Sequence, residues 1–299
     1  MSVIPKGFID SVVAIGEETA SGNANEKFWI GSGFIVSRKE ETLPGKATFY
    51  IVTNKHVVKN KKRIYARFND TGDSFVNDYP IDLYDNNGYA LFSAHPDENT
   101  DIVAIQIIPN VLDEAKAVWN AFDLSDHTLT INQMMKTGVV EGSLVYNLGF
   151  PMNLVDIIKA PICRLGCISR FIDTYIRQNE HPTFLIDAHV FPGNSGGPVI
   201  SRPEYISLRD TPNNTYANLI GIVSASILYK ETLVSTQTGE PRMIQTENSG
   251  LTVVHPVDRI KEVVEIEWAK RKAIDELLQK SSAAKEQPDT YRSNYSNLH

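Results

Sequence analysis

FPGNSGGPVI, residues 191–200, is the stretch on which the reading of this chain turns. It sets Ser195 after Gly193 and Asn194 and before Gly196 and Gly197. A nucleophilic serine needs a backbone that exposes its Oγ while neighbouring main-chain N–H groups face a developing oxyanion. Glycine permits both the tight turn and a close substrate approach. By itself the string is also an ordinary connection between strands, because Gly, Asn, Ser and Pro dominate such loops. Its meaning depends on what else the chain carries.

Upstream, TNKHVV at 53–58 follows the apolar run TFYIV at 48–52. That run reads as a buried strand, from its β-branched and aromatic content. His56 then lies just past a strand end, where a rigid element can aim an imidazole into a cleft. Its ordinary pKa near 6.5 suits a general base. Between the two lies NTDIVAIQI at 99–107, where Asp101 precedes an apolar strand. A carboxylate there is placed to accept the Nδ1–H of the histidine and fix its tautomer. Asp97 and Glu98 stand close by as rival acids. Histidine, aspartate and serine occur in that order, each beside a strand signal. The order disfavours the Ser…Asp…His and Asp…His…Ser arrangements, and no G-x-S-x-G surrounds Ser195.

With those residues in hand, the chain resembles the trypsin/chymotrypsin-like serine proteases, and within them the bacterial HtrA-like branch. The resemblance rests on GSGFIV at 31–36, TNKHVV, TDIVAIQI, LGFP at 148–151, residues 187–199 and LIGIVS at 219–224. These segments run in the family's order over about residues 8–258. The resemblance implies an all-β fold of two six-stranded antiparallel β-barrels followed by a C-terminal α-helix, with the cleft between the barrels. It implies Ser195 as nucleophile, His56 as general base and then acid, and Asp101 as the orienting carboxylate. The oxyanion hole is expected in the loop of Gly193, Asn194 and Ser195, with the N–H groups of Gly193 and Ser195 as donors. Ser224, Ala225 and Ser226 are expected to pair with substrate as an added strand. Asn194 stands where trypsin has the aspartate that binds a new N-terminus after zymogen cleavage, so activation by cleavage is not expected.

Specificity is less legible. His189 takes the place at the base of the S1 pocket, where an aspartate would select Lys or Arg. Ser226 and Gly250 take wall positions. Two expectations stand side by side: His189 favours an acidic or polar P1 residue, or it points away from the pocket.

Composition bounds the remainder. A chain of 299 residues with 42% hydrophobic and 22% charged residues buries an ample core without staples. A formal charge of −7 argues against general nucleic-acid binding, which wants a basic face. No apolar run reaches the length of a membrane span, no positively charged leader opens the chain, and no metal or cofactor is implied. Cys163 and Cys167 are the two cysteines. On one strand their Cα atoms lie about 13 Å apart at ~3.3 Å per residue. That is too far for a disulfide, and one Cys-x3-Cys pair makes a poor zinc site. Free thiols point to a reducing, cytoplasmic location.

Along the chain, strands are expected at 8–15, 28–36, 49–53, 63–68, 102–108, 144–148, 184–186, 198–201 and 219–226, with turn residues between them. This divides the chain into a first barrel at 1–126, a second at 127–257, a helix at 258–280 and an unfolded tail at 281–299. Segments 69–96, 202–217 and 229–248 are expected as long loops beside the cleft, the first holding a hairpin. Val257, Ile260, Val263, Val264, Trp268, Ile274, Leu277 and Leu278 recur at helical spacing. The far part of that helix is expected to pack on the second barrel or to reach a partner. The function expected is a serine endopeptidase acting on proteins through an acyl-enzyme. The alternatives are a protease silent until a protein partner binds, and an inert binding module on the same fold.

Overall fold

The structure, a computed structural model, describes residues 4–19, 26–40, 43–69, 78–114, 116–155, 160–177, 183–204 and 214–285. The first half of the chain supplies β1 (Val12–Glu18), β2 (Lys27–Lys39), β3 (Ala47–Thr53), β4 (Arg63–Arg67), β5 (Asp78–Asp82), β6 (Ser93–Ala94), β7 (Val103–Ile107) and β8 (Phe122–Asp123). The second half supplies β9 (Leu144–Gly149), β10 (Ile162–Arg170), β11 (Phe184–Asp187), β12 (Pro198–Ser201), β13 (Asn218–Val234) and β14 (Pro241–Pro256). The C-terminal helix runs Val257–Lys285.

The second half closes on itself as a six-stranded barrel in the order β10-β11-β14-β13-β12-β9. The first half does not close. It is one curled sheet ordered β5-β4-β1-β2-β3-β7-β6, and β8 adds to β2 in parallel. The expectation of two closed antiparallel barrels is corrected on this point, and the reason is local. The carbonyls just before the two-residue β6 are taken by the C-terminal helix: Lys270 Nζ donates to those of Ala90 and Phe92 at 2.7 and 2.9 Å, and Arg271 to that of Leu91 at 2.6 Å. Between those cations lies Glu267, fully buried, which accepts from Ser93 Oγ at 2.6 Å and Arg271 Nε at 2.7 Å. At the other edge β5 carries Pro80, which cannot donate to a further strand. The helix thus caps the sheet where a closing strand would lie.

Three apolar clusters follow from the strand pattern. Val13, Ile15, Ile35, Ile51 and Ile105 fill the curled sheet, and Val145, Phe171, Phe184, Val199 and Val254 fill the barrel. A third joins them, with Phe8, Phe34, Phe122, Leu148, Ile222 and the helix residues Val257, Ile260, Val263 and Val264. Those four are fully buried, whereas Ile274, Leu277 and Leu278 are exposed. The helix is therefore docked from Val257 through Arg271, and the apolar residues beyond that point are exposed.

Other boundaries moved for identifiable reasons. Residues 6–10 form a helical turn, not the start of β1, because Phe8 turns inward to stack on Phe122 at 4.6 Å between centroids. Residues 229–248 are not a loop but the arms of a hairpin, β13 pairing β14 out to Val234↔Pro241. Both faces of that arm are exposed, so it carries no alternating apolar pattern to announce a strand. The helix continues through Lys285, five residues into the expected tail; 286–299 lie outside the described residues. Segment 69–96 pairs β5 onto β4 and closes a turn by the Tyr84↔Ala90 bridge, while 205–213, within the second expected loop, lie outside the described residues. Cys163 and Cys167 both sit on β10 and are free thiols.

Candidate active site

His56 lies in the single helical turn Lys55–Val58 that follows β3. The turn is held down by its own apolar residues, with Val57 and Val58 buried. Gly31 makes room for it, since a Cβ there would come within 2.8 Å of Val57. The imidazole itself stays half exposed.

Asp101 sits at the entry to β7. Its Oδ2 meets His56 Nδ1 at 2.5 Å, and its Oδ1 accepts the His56 backbone N–H at 3.1 Å. Ser224 Oγ donates to the same carboxylate at 3.4 Å. Burial pushes this carboxyl's pKa up, but the hydrogen bonds and charge of His56 outweigh it and hold the group below the usual carboxylate range. The rival acid Asp97 is occupied otherwise: it accepts the Asn99 N–H at 3.0 Å and the Thr100 hydroxyl at 2.9 Å. It shapes the turn that delivers Asp101.

Ser195 follows a turn fixed by backbone bonds. The Asn194 N–H donates to the Phe191 carbonyl at 3.0 Å and the Gly197 N–H to the Asn194 carbonyl at 2.9 Å. Gly196 needs to be glycine twice over: its φ is +84°, and a Cβ there would lie 2.1 Å from the Ser32 carbonyl oxygen. The Pro192 carbonyl accepts the Met152 N–H at 2.7 Å. A trans peptide points its N–H opposite to its carbonyl, so the Gly193 N–H faces away from Met152. By the same geometry the Ser195 N–H faces away from Gly197. Among the described residues neither N–H has a protein partner. Asn194 is buried at the back of this turn, so its own N–H, spent on Phe191, is not a third donor.

The Ser195 hydroxyl donates to the Ser224 carbonyl at 3.4 Å, and no hydrogen bond joins it to His56. Ser224 is buried, while Ala225 is exposed and Ser226 half-buried, on the part of β13 that β12 does not cover. Gly250, with φ +85°, lies opposite His189: a Cβ on it would sit 3.8 Å from the imidazole. Asp187 Oδ1 is as close, 3.5 Å from the same point. His189 and Asp187 are both exposed. Asp187 was missed in the sequence, though the two-residue spacing from His189 puts both on one face of an extended segment.

A second residue was missed because it comes from far along the chain. His255, at the end of β14, accepts the Asp101 N–H on Nε2 at 3.1 Å, and the Asn54 amide donates to the Asp101 carbonyl at 2.7 Å. The ring is 2% exposed, and among the described residues its Nδ1 has no partner. Burial lowers its pKa to about 4, against the opposing pull of the Asp101 charge. The unfolded chain, with an ordinary histidine near 6.5, therefore binds the extra proton between those values. The contribution to stability is complete above pH 6.5 and is lost as the pH falls toward 4, amounting to about 3 kcal/mol. Urea unfolding at pH 7 and 4.5 checks this: His255→Leu should show a pH-dependent loss smaller than wild type by about 2 kcal/mol, since pH 4.5 still lies above the folded-state pKa.

Among the described residues no group of three His, Cys, Asp or Glu side chains is arranged to hold a metal, and no helix is long and apolar enough to cross a membrane.

Comparison with known proteins gives the class. The model of the trypsin-like peptidase domain matches residues 31–204, more than half of the chain, and the chain belongs to that family. The fold is accordingly the chymotrypsin-like pair of β-barrels, the first here left open. No functionally curated protein matches. Similar solved structures include the MamO protease domain from Magnetospirillum magneticum in its apo form, 17% identical, covering 86% of this chain and 96% of that one with a TM-score of 0.47. The HtrA-type protease AlgW with a decapeptide is 16% identical at a TM-score of 0.45, covering 88% of this chain and 65% of AlgW. An inactive serine-to-alanine form of Rv3671c from M. tuberculosis is 14% identical at 0.42, covering 89% and 90%.

Proposed function

We propose that this trypsin-like peptidase domain is an active serine endopeptidase, cleaving extended protein segments through an acyl-enzyme. Ser195 Oγ attacks the peptide carbonyl, His56 takes its proton and returns it to the leaving amine, and Asp101 holds the imidazole with Nδ1 protonated. The oxyanion rests on the Gly193 and Ser195 N–H groups. The observation that carries this reading is the pair of carbonyls behind those donors, those of Pro192 and Asn194. Both are tied away from the cleft, which leaves two unpartnered N–H groups beside the serine. Substrate adds as a strand along Ser224–Ser226. The free thiols of Cys163 and Cys167 support a reducing, cytoplasmic setting.

A second reading, a protease gated by what binds it, is favoured by the Ser195–Ser224 contact at 3.4 Å. A substrate backbone N–H placed on the Ser224 carbonyl displaces that hydroxyl and frees it to turn to His56.

Incubation of the purified chain with casein, followed by mapping of the new N-termini, tests the proposal. Cleavage at discrete sites that disappears in His56→Ala is the expected result. Acidic P1 residues should be scarce, because the Asp187 carboxylate beside His189 repels them. Casein left intact by wild type refutes constitutive activity, and a clear preference for acidic P1 refutes the assignment of Asp187 to the pocket.

A further inference from the structure

Ser32, the middle residue of Gly31-Ser32-Gly33 on β2, is fully buried, and each of its polar groups is engaged. Its N–H donates to the Ser195 carbonyl at 2.8 Å, and its carbonyl accepts from Thr53 Oγ1 at 2.7 Å, three residues before His56. Its hydroxyl donates to the Gly193 carbonyl at 2.7 Å and accepts the Phe150 N–H at 2.9 Å. Gly149 and Gly196 leave space for it, since a Cβ on either would come within 2.9 Å of a Ser32 oxygen. A residue of the first sheet thus binds the two loops of the second barrel that form the candidate oxyanion hole.

We propose that Ser32 is a positioning residue for the oxyanion hole, its hydroxyl locking the peptide plane after Gly193 and anchoring the Phe150 segment whose Met152 holds the plane before it. This rests on the peptidase function proposed above. The direction of the Gly193 N–H is set by two planes that meet at its Cα. The plane before it is held by Met152, two residues along the turn from Phe150, whose N–H the Ser32 hydroxyl accepts. The plane after it is held by the same hydroxyl through the Gly193 carbonyl. Between them the Gly193 φ stands at +100°, a value from which glycine, lacking a Cβ, rotates readily once either plane is released. Without the Ser32 hydroxyl the Gly193 carbonyl and the Phe150 N–H are both left buried and unpaired. A flip of a neighbouring peptide then becomes the accessible way to satisfy them, and it removes the donor from the cleft. Ser32 touches neither substrate nor the reacting atoms; it acts through Gly193.

The test is steady-state kinetics of Ser32→Ala on a peptide substrate, with peptidyl boronate and product-peptide affinities measured alongside. The boronate forms a tetrahedral adduct with the serine and so reports the hole; the product peptide reports ground-state binding. Loss of a whole oxyanion donor costs on the order of 100- to 1,000-fold, so partial misplacement should lower kcat by about 10- to 100-fold. Boronate affinity should fall in step, while KM, product affinity and the pH midpoint of kcat/KM stay within about twofold. Ser11→Ala is the control for a merely structural role, since Ser11 is also fully buried and its hydroxyl donates to the Gly7 carbonyl of the N-terminal turn at 2.7 Å, with no bond to the oxyanion loop. It should lose stability without losing kcat. Should Ser32→Ala not fold, Ser32→Cys keeps the shape with a weaker donor and should give a smaller loss of the same kind. Unchanged kcat in Ser32→Ala, or in Ser32→Cys where that is the variant measured, overturns the inference. So does a fall in product affinity equal to that in boronate affinity. Wild type that neither hydrolyses peptide nor binds boronate overturns the peptidase proposal itself.

Discussion

Ser195→Ala is expected to lower peptide hydrolysis by about 10⁶-fold while leaving the fold intact. The loss is large because the nucleophile itself is removed, and the acyl-enzyme cannot form without the Ser195 hydroxyl. The two N–H donors that remain stabilise only a tetrahedral species formed by water. The fold survives because little of the turn depends on the side chain. Ser195 Oγ makes one long hydrogen bond, to the Ser224 carbonyl at 3.4 Å, while the Ser195 carbonyl is held by the Ser32 N–H at 2.8 Å. Turnover measured beside the thermal unfolding midpoint checks both halves. Turnover within tenfold of wild type in the variant would remove Ser195 from the mechanism.

Asp101→Asn should cost about 10⁴-fold in kcat, the scale set by a wrongly held imidazole tautomer. The replacement has the same size, so the effect is one of hydrogen placement. The amide oxygen can keep the His56 backbone N–H now bound at 3.1 Å only if the amide NH₂ takes the other position, 2.5 Å from His56 Nδ1. There it donates where the carboxylate accepted. The ring proton moves to Nε2, the nitrogen that must be bare to take the hydroxyl proton of Ser195. The Ser224 hydroxyl, which donates to that carboxylate oxygen at 3.4 Å, loses its acceptor as well. Single-turnover acylation should fall by the same factor as kcat. Equal rates in wild type and Asp101→Asn would assign the orienting role elsewhere.

The candidate site was legible in the sequence where a residue stands at the mouth of its own strand. His56 after β3, Asp101 before β7 and Ser195 before β12 are all of that kind, because the apolar run beside each announces the element that aims it. The choice of Asp101 over Asp97 was open in the sequence, and the Asn99 and Thr100 bonds to Asp97 settle which acid shapes the turn. His255 was not legible, since 154 residues separate it from Asp101 and nothing near Val253-Val254-His255 marks a buried ring. Ser32 was hidden for a related reason. In an apolar strand a small residue reads as a packing choice, and only the approach of Gly149, Gly193 and Gly196 shows that its hydroxyl is in use. The fold was legible in its class and less so in its closure. Whether the first sheet meets itself depends on Lys270 and Arg271, which in the sequence look like solvated helix residues.

The measurement that bears most directly on the account is the intact mass of the purified chain after exposure to a fluorophosphonate, with the adduct located by peptide mapping. Ser195 attacks such a probe only if His56 can take its proton and the Gly193 and Ser195 N–H groups can receive the oxyanion. A single adduct on Ser195 is expected, lost in Ser195→Ala and formed far more slowly in Asp101→Asn. Wild type that stays unmodified, or that is labelled as fast in Ser195→Ala, would contradict it.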